Sequence, residues 1–166
     1  MKEILQDLAL HHEWASKVLF KRLSSVDSDI LNKELNSSFR GINKTIFHLL
    51  TAESTWWQRI QLQEHIVLPD NNLSQNFDLM AVEVLRFSAQ WIELVNNASE
   101  SRLLHVFEYR NSKREAFKHP LYQVLLHLFN HQTYHHGQII TMLRQENIDK
   151  LPATDFIEFV RRKGKV

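Results

Sequence analysis

The stretch from Pro120 to about Gln145, PLYQVLLHLFNHQTYHHGQIITMLRQ, constrains the fold more than any other part of the chain. Wound at 100° per residue, Val124, Leu128, His131, His135, Gln138 and Met142 fall within roughly 80° of one another, the stripe of one long helix turned toward a core. Apolar periodicity therefore runs unbroken through two imidazoles. Burying a polar group without a partner costs about 1 to 3 kcal/mol, so each inward histidine needs either a hydrogen-bond partner or a metal ion.

Three further segments share this helical period. From Lys2 to about Ser25, Leu5, Leu8, His12, Ala15, Leu19 and Leu23 recur at steps of three and four, with His12 on the inward stripe and Trp14 and Phe20 adding packing area. From about Gly41 to Gln63, Ile42, Ile46, Leu49, Trp56 and Ile60 align, with Glu53 in mid-stripe and His48 near its edge. A buried carboxylate is rare unless paired, so Glu53 either bonds an inward imidazole or tryptophan or reaches to the surface. From about Phe77 to Asn97, Met80, Val84, Phe87, Trp91 and Leu94 repeat with almost coiled-coil regularity, which marks core or a subunit interface. Ser25–Asn36 and Glu64–Asn76 read as connections. Leu103 to His119 breaks the period and reads as a short β-hairpin turning around Asn111 to Arg114. Thr154 or Asp155 is positioned to cap a short terminal helix through about Arg162.

Three glycines and three prolines in 166 residues exclude a loop-rich or all-β domain. The expectation is an all-α four-helix bundle, a single domain over residues 1–166. With 20 Lys+Arg against 19 Asp+Glu there is no broad cationic footprint for nucleic acid or an anionic membrane. The basic cluster at the end, Arg161, Arg162, Lys163 and Lys165, reads as a solvated tail. No cysteine is present, which excludes disulfides, thiolate ligands and a cysteine nucleophile. No run approaches a membrane span, and Glu3, Asp7, His11 and His12 interrupt what a signal peptide would need to be apolar, so a cytoplasmic location is expected.

Ten histidines would give roughly 0.6 pairs at spacing four by chance, and the chain has two, His127 with His131 and His131 with His135. Residues so spaced have Cβ atoms about 5 to 6 Å apart, within reach of a shared ion at about 2.0 to 2.1 Å from each nitrogen. Spacing alone leaves metal ligation and ordinary core or surface histidines both open. His136 lies about 100° round from His135 and faces another helix or solvent. There is no HExxH and no helical Glu-x-x-His of the di-iron kind, so the remaining metal reading is one mononuclear site. Gly137, costly inside a helix, suggests either a close approach by a neighbour or an exposed, tolerant position.

The segment HLFNHQTYHHGQI resembles the signature NHxxYHRGQ of the DinB/YfiT-like family of four-helix-bundle metalloproteins. FHLLTAESTWW, HHEWAS and PATDFIEFVR match further parts of that family in the same order. The resemblance implies a three-histidine metal site with one ligand from the second long helix and two from the fourth, here His48, His131 and His135, with open positions for water or substrate. His136 stands where the family usually has arginine, and Asn147 where a glycine often ends the helix. Glu53, Tyr134, Gln138 and His127 are candidates for support around the ligands; no catalytic side chain is assigned.

A divalent ion is implied, zinc or nickel first, with iron or copper also accommodated by all-nitrogen ligation. Some relatives are thiol-dependent transferases and isomerases, including mycothiol-dependent maleylpyruvate isomerase. The expected activity is transfer of a low-molecular-weight thiol to a small electrophile; the alternatives are metal-dependent hydrolysis and a non-catalytic stress-response metal-binding bundle. The expected partners are a small-molecule substrate and a second copy in a homodimer, with no nucleic acid and no membrane.

Overall fold

A computed structural model describes residues 1–111 and 113–163. Four long helices dominate: α1 (Lys2–Leu23), α3 (Ile42–Ile60), α4 (Phe77–Asn97) and α6 (Leu121–Gln145). The shorter elements are α2 (Ser28–Asn32), α5 (Glu100–Leu104), α7 (Phe156–Lys163) and a two-stranded hairpin of β1 (Val106–Arg110) and β2 (Ala116–Pro120). The four-helix bundle expected from the periodicity is the fold. α1 packs against α4 and α6, and α3 packs against the same two, which sets α1 diagonally across the core from α3.

Local chemistry fixes where the helices begin and end. Gly41 precedes α3 at φ +150°, and a Cβ there would stand 2.6 Å from the Lys33 carbonyl oxygen, so only glycine fits the corner that starts this helix. The Asn76 side chain accepts from the Leu79 N–H at 3.1 Å and caps α4. Pro120 closes β2 and leads straight into α6. At the other end of α6, Asn147 adopts φ 57°, with Asn147 N–H donating to Arg144 and Ile148 N–H to Leu143. That is a Schellman ending with asparagine in the left-handed position usually given to glycine.

The stripe Met80, Val84, Phe87, Trp91 and Leu94 is buried within the chain, and it is core. The hairpin forms in the expected place, antiparallel with Phe107 opposite His119 and Tyr109 opposite Phe117; of its turn, Ser112 lies outside the described residues. Three short helical pieces fall inside stretches read as connections or non-helical: α2, α5 and a 3₁₀ turn at Asn71–Gln75. At five residues each they are too short to show a period.

Two readings that the sequence left open are decided. Gly137 has nothing within 4 Å of where a Cβ would stand, so no neighbour approaches it closely. His136 is 1% exposed and faces α1, with Phe20 edge-on at 6.5 Å, so it is a core residue and not a surface one. α7 is tied to α1 by Lys163 Nζ, 2.7 Å from Asp7 Oδ1, so that part of the basic tail is paired; Lys165 lies outside the described residues. No helix among the described residues is long and apolar enough to cross a membrane.

Candidate metal centre

α3 carries His48 to the face of α6 that carries His131 and His135. One ring nitrogen from each of the three lies within 4.8 Å of the others. His131 Nε2 stands 3.1 Å from His48 Nε2 and 3.1 Å from His135 Nε2. The loop before α3 closes one side: Phe39 stacks on His48 at 3.9 Å between centroids and meets His135 edge-on at 5.4 Å. Gln138 fixes the third ring, its Oε1 2.8 Å from His135 Nδ1. An amide oxygen only accepts, so Nδ1 carries the proton and His135 Nε2 presents a bare lone pair to the cluster. Gln138 Nε2 in turn reaches Ser38 Oγ at 3.4 Å.

Burial pulls the pKa of His48 down to about 4, reinforced by His135. His131 is likewise lowered to about 4 by burial and then by the three neighbouring imidazoles. His135 is lowered by burial, which outweighs its bond to Gln138. At neutral pH the cluster therefore offers uncharged imidazoles, the form that ligates metal. Among themselves they are poorly satisfied, because one proton on His131 Nε2 serves only one neighbour at a time. Nitrogens bound tetrahedrally at about 2.0 to 2.1 Å from one ion stand roughly 3.3 Å apart, close to the two 3.1 Å separations made by His131, so the residues present fit a divalent cation.

The other sequence candidates fall into distinct places. His127 is one turn before His131 on α6, exposed, 5.5 Å from the His131 ring and 5.6 Å from Trp56. Tyr134 is 61% exposed and stands edge-on to His135 at 4.9 Å. Glu53 lies in the core, where its carboxylate takes Trp91 Nε1–H on one oxygen and has His12 Nε2 3.0 Å from the other. It thus accepts a hydrogen bond from a tryptophan and stands beside an imidazole, and neither neighbour belongs to the three-histidine cluster. Beside it, Gln132 donates to Ser16 Oγ, extending a polar layer through the middle of the bundle.

Sequence reasoning missed Ser38 and Phe39, which follow no helical period, and the wall beyond His127. There Trp56 meets Tyr109 edge-on at 4.8 Å, and Tyr109 reaches His119 Nδ1 at 3.1 Å. A cluster of aromatic letters in FEY and WW was the one available signal.

An all-α bundle with three convergent neutral imidazoles on two facing helices belongs to the class of helical-bundle proteins with a possible site for a divalent metal. Comparison with known sequences makes the class specific: the profile of the DinB family matches residues 1–158, and the chain belongs to that family. It is similar to Protein DinB of Bacillus subtilis (strain 168), 25% identical over 164 residues that cover 94% of this chain and 93% of the relative.

Proposed function

We propose that His48, His131 and His135 hold one divalent ion, zinc or nickel, and that the protein is an enzyme joining a low-molecular-weight thiol to a small electrophile. The observation that carries this reading is the donor set: three uncharged ring nitrogens within 4.8 Å, with no carboxylate in the group. A three-ligand set leaves a coordination position for a reactant, the arrangement of catalytic rather than closed structural sites. Bound there, the ion supplies Lewis acidity that makes a water or thiol a nucleophile near neutral pH. The chain's own residues do the rest. Gln138 holds the His135 tautomer, Phe39 shields one face of the cluster from water, and His127 and Tyr134 border its outer side. A cysteine-free chain suits a thiol brought in by a substrate. A homodimer belongs to the same proposal, supported by Leu79 and Val82, which stand 51% and 62% exposed on α4; sedimentation velocity checks it.

Elemental analysis of untagged protein tests the site. One equivalent of metal, lost in His131→Ala, is the expected result; a wild type that stays empty after soaking in zinc and nickel refutes it. Turnover of a chromogenic electrophile with bacillithiol, mycothiol or glutathione then tests the chemistry. Metal-dependent turnover without any thiol would replace transfer with hydrolysis, and none under any condition would leave a non-catalytic metal-binding bundle.

A further inference from the structure

Arg59 lies three turns beyond His48 on α3. Eleven residues bring a helix back to within about 20° of the same face while advancing about 16 Å, so Arg59 and His48 look out along one side of α3. The guanidinium sits 4.7 Å over the Trp56 ring and 5.2 Å from the Tyr109 ring. Trp56 stands 5.6 Å from His127, and His127 stands 5.5 Å from His131. An unbroken wall of rings thus connects the three-histidine cluster to one cation.

That cation is half-buried and unpaired. Its Nε is buried with no hydrogen-bond partner, and among the described residues no carboxylate lies within ion-pair distance of it. Burial lowers its pKa from the ordinary guanidinium value, opposed by Tyr109, and the group stays charged at neutral pH. Stacking on two rings holds the guanidinium plane but satisfies none of its five N–H donors. A desolvated charge with idle donors is costly unless an anion joins it, and guanidinium geometry suits a carboxylate or phosphate. A recess of about 300 Å³ gives access, lined by Arg59, Tyr109, Glu64, Glu108 and Arg110 among others. Glu108 is engaged there by Lys118 Nζ at 3.4 Å, and Arg110 donates to the Arg114 carbonyl at 2.8 Å.

We propose that Arg59 binds the anionic group of the thiol whose sulfur meets the three-histidine cluster; of the about 16 Å between the two positions along α3, about 2 Å is the sulfur–metal bond and about 3 Å the guanidinium–carboxylate contact, so this substrate carries a carboxylate on the order of 10 Å from its sulfur. The inference rests on the metal-centre reading and adds to it a substrate class and a specificity residue. Trp56 and Tyr109 position the guanidinium, and His127 stands between Trp56 and His131.

Two measurements test it. In metal-free protein, the Arg59 Nε–Hε resonance, assigned by its loss in Arg59→Lys, is followed by NMR as inorganic phosphate is added at constant ionic strength. A saturating shift in the millimolar range is expected; a drift no different from that with chloride overturns the proposal. In zinc-loaded protein, calorimetry compares ω-mercaptooctanoate with the ω-mercapto-alcohol of the same length. The carboxylate should bind roughly tenfold tighter, the worth of one charge-assisted hydrogen bond, and Arg59→Gln should abolish that preference without changing the affinity for the alcohol. Equal affinities in the wild type, or a preference that survives in Arg59→Gln, overturn it. A protein that takes up no zinc sinks the metal reading instead, and the phosphate titration then decides the anion site alone.

Discussion

At the scale of single residues, the cluster depends on a side chain that would never touch the ion. Gln138 Oε1, 2.8 Å from His135 Nδ1, selects the tautomer that leaves Nε2 bare. Gln138→Leu should lower zinc affinity about 10- to 100-fold, read by competition with a chromogenic chelator, while the metal-free protein melts at nearly the wild-type temperature. An unchanged affinity would mean that packing alone orients the ring. His131 and His135 were legible in the sequence because a spacing of four stacks residues on one helix face. His48 was not legible in that way, since a ligand delivered across the bundle leaves no periodic trace, and only the family resemblance reached it. His127 shares the spacing but is exposed one turn away, and nothing in a single helix could separate it from the pair that converges with His48. For Glu53 the sequence left open a bond to an imidazole or tryptophan and a reach to the surface; the fold buries it with Trp91 as donor and His12 alongside, partners that come from two other helices and leave no trace in the α3 pattern.

At the scale of elements, two glycines, one just before α3 and one inside α6, make opposite predictions. Gly41 starts α3, where a Cβ would meet a backbone carbonyl at 2.6 Å and φ is +150°. Gly41→Ala should destabilise the protein by about 2 kcal/mol or more in urea titration and weaken zinc binding, because the start of α3 sets the height of His48. Gly137 lies inside α6 with open space around it. Gly137→Ala should therefore raise stability by about 0.5 to 1 kcal/mol in the same titration, with the metal site intact. A destabilised Gly137→Ala would expose a contact that the bundle does not show. The long helices were readable because twenty residues give several turns of pattern. α2 and α5 were not, because a five-residue helix is decided by caps such as Asp27 and Ser99 and by tertiary packing, with no period to detect.

For the molecule as a whole, the buried imidazoles make stability depend on pH. Burial lowers His136 to about 3, with His12, His11 and His135 adding to it, and lowers His48 and His131 to about 4. Unfolding frees each to take up a proton below about 6.5 while the folded chain keeps them neutral, so stability is full above that pH and falls as pH drops toward 4. For the fully buried His136 alone the loss from pH 7 to pH 5 is about 2 kcal/mol. Urea midpoints of metal-free protein at the two pH values should show it, and His136→Leu should flatten the slope; coincident midpoints would mean that these rings are already charged in the fold. The same neutrality means that zinc binding at pH 7 should release almost no protons, measurable by calorimetry in buffers of different ionisation enthalpy. The diagonal placement of α1 and α3 has its own consequence, because His48 and His131 are 83 positions apart in the chain. An ion held between them would fasten the chain to itself around a loop containing α4, α5 and the hairpin. By the chain-entropy argument used for disulfides, closing a loop of that length is worth on the order of 4 kcal/mol. In a protein without cysteine the metal would serve as its one cross-link.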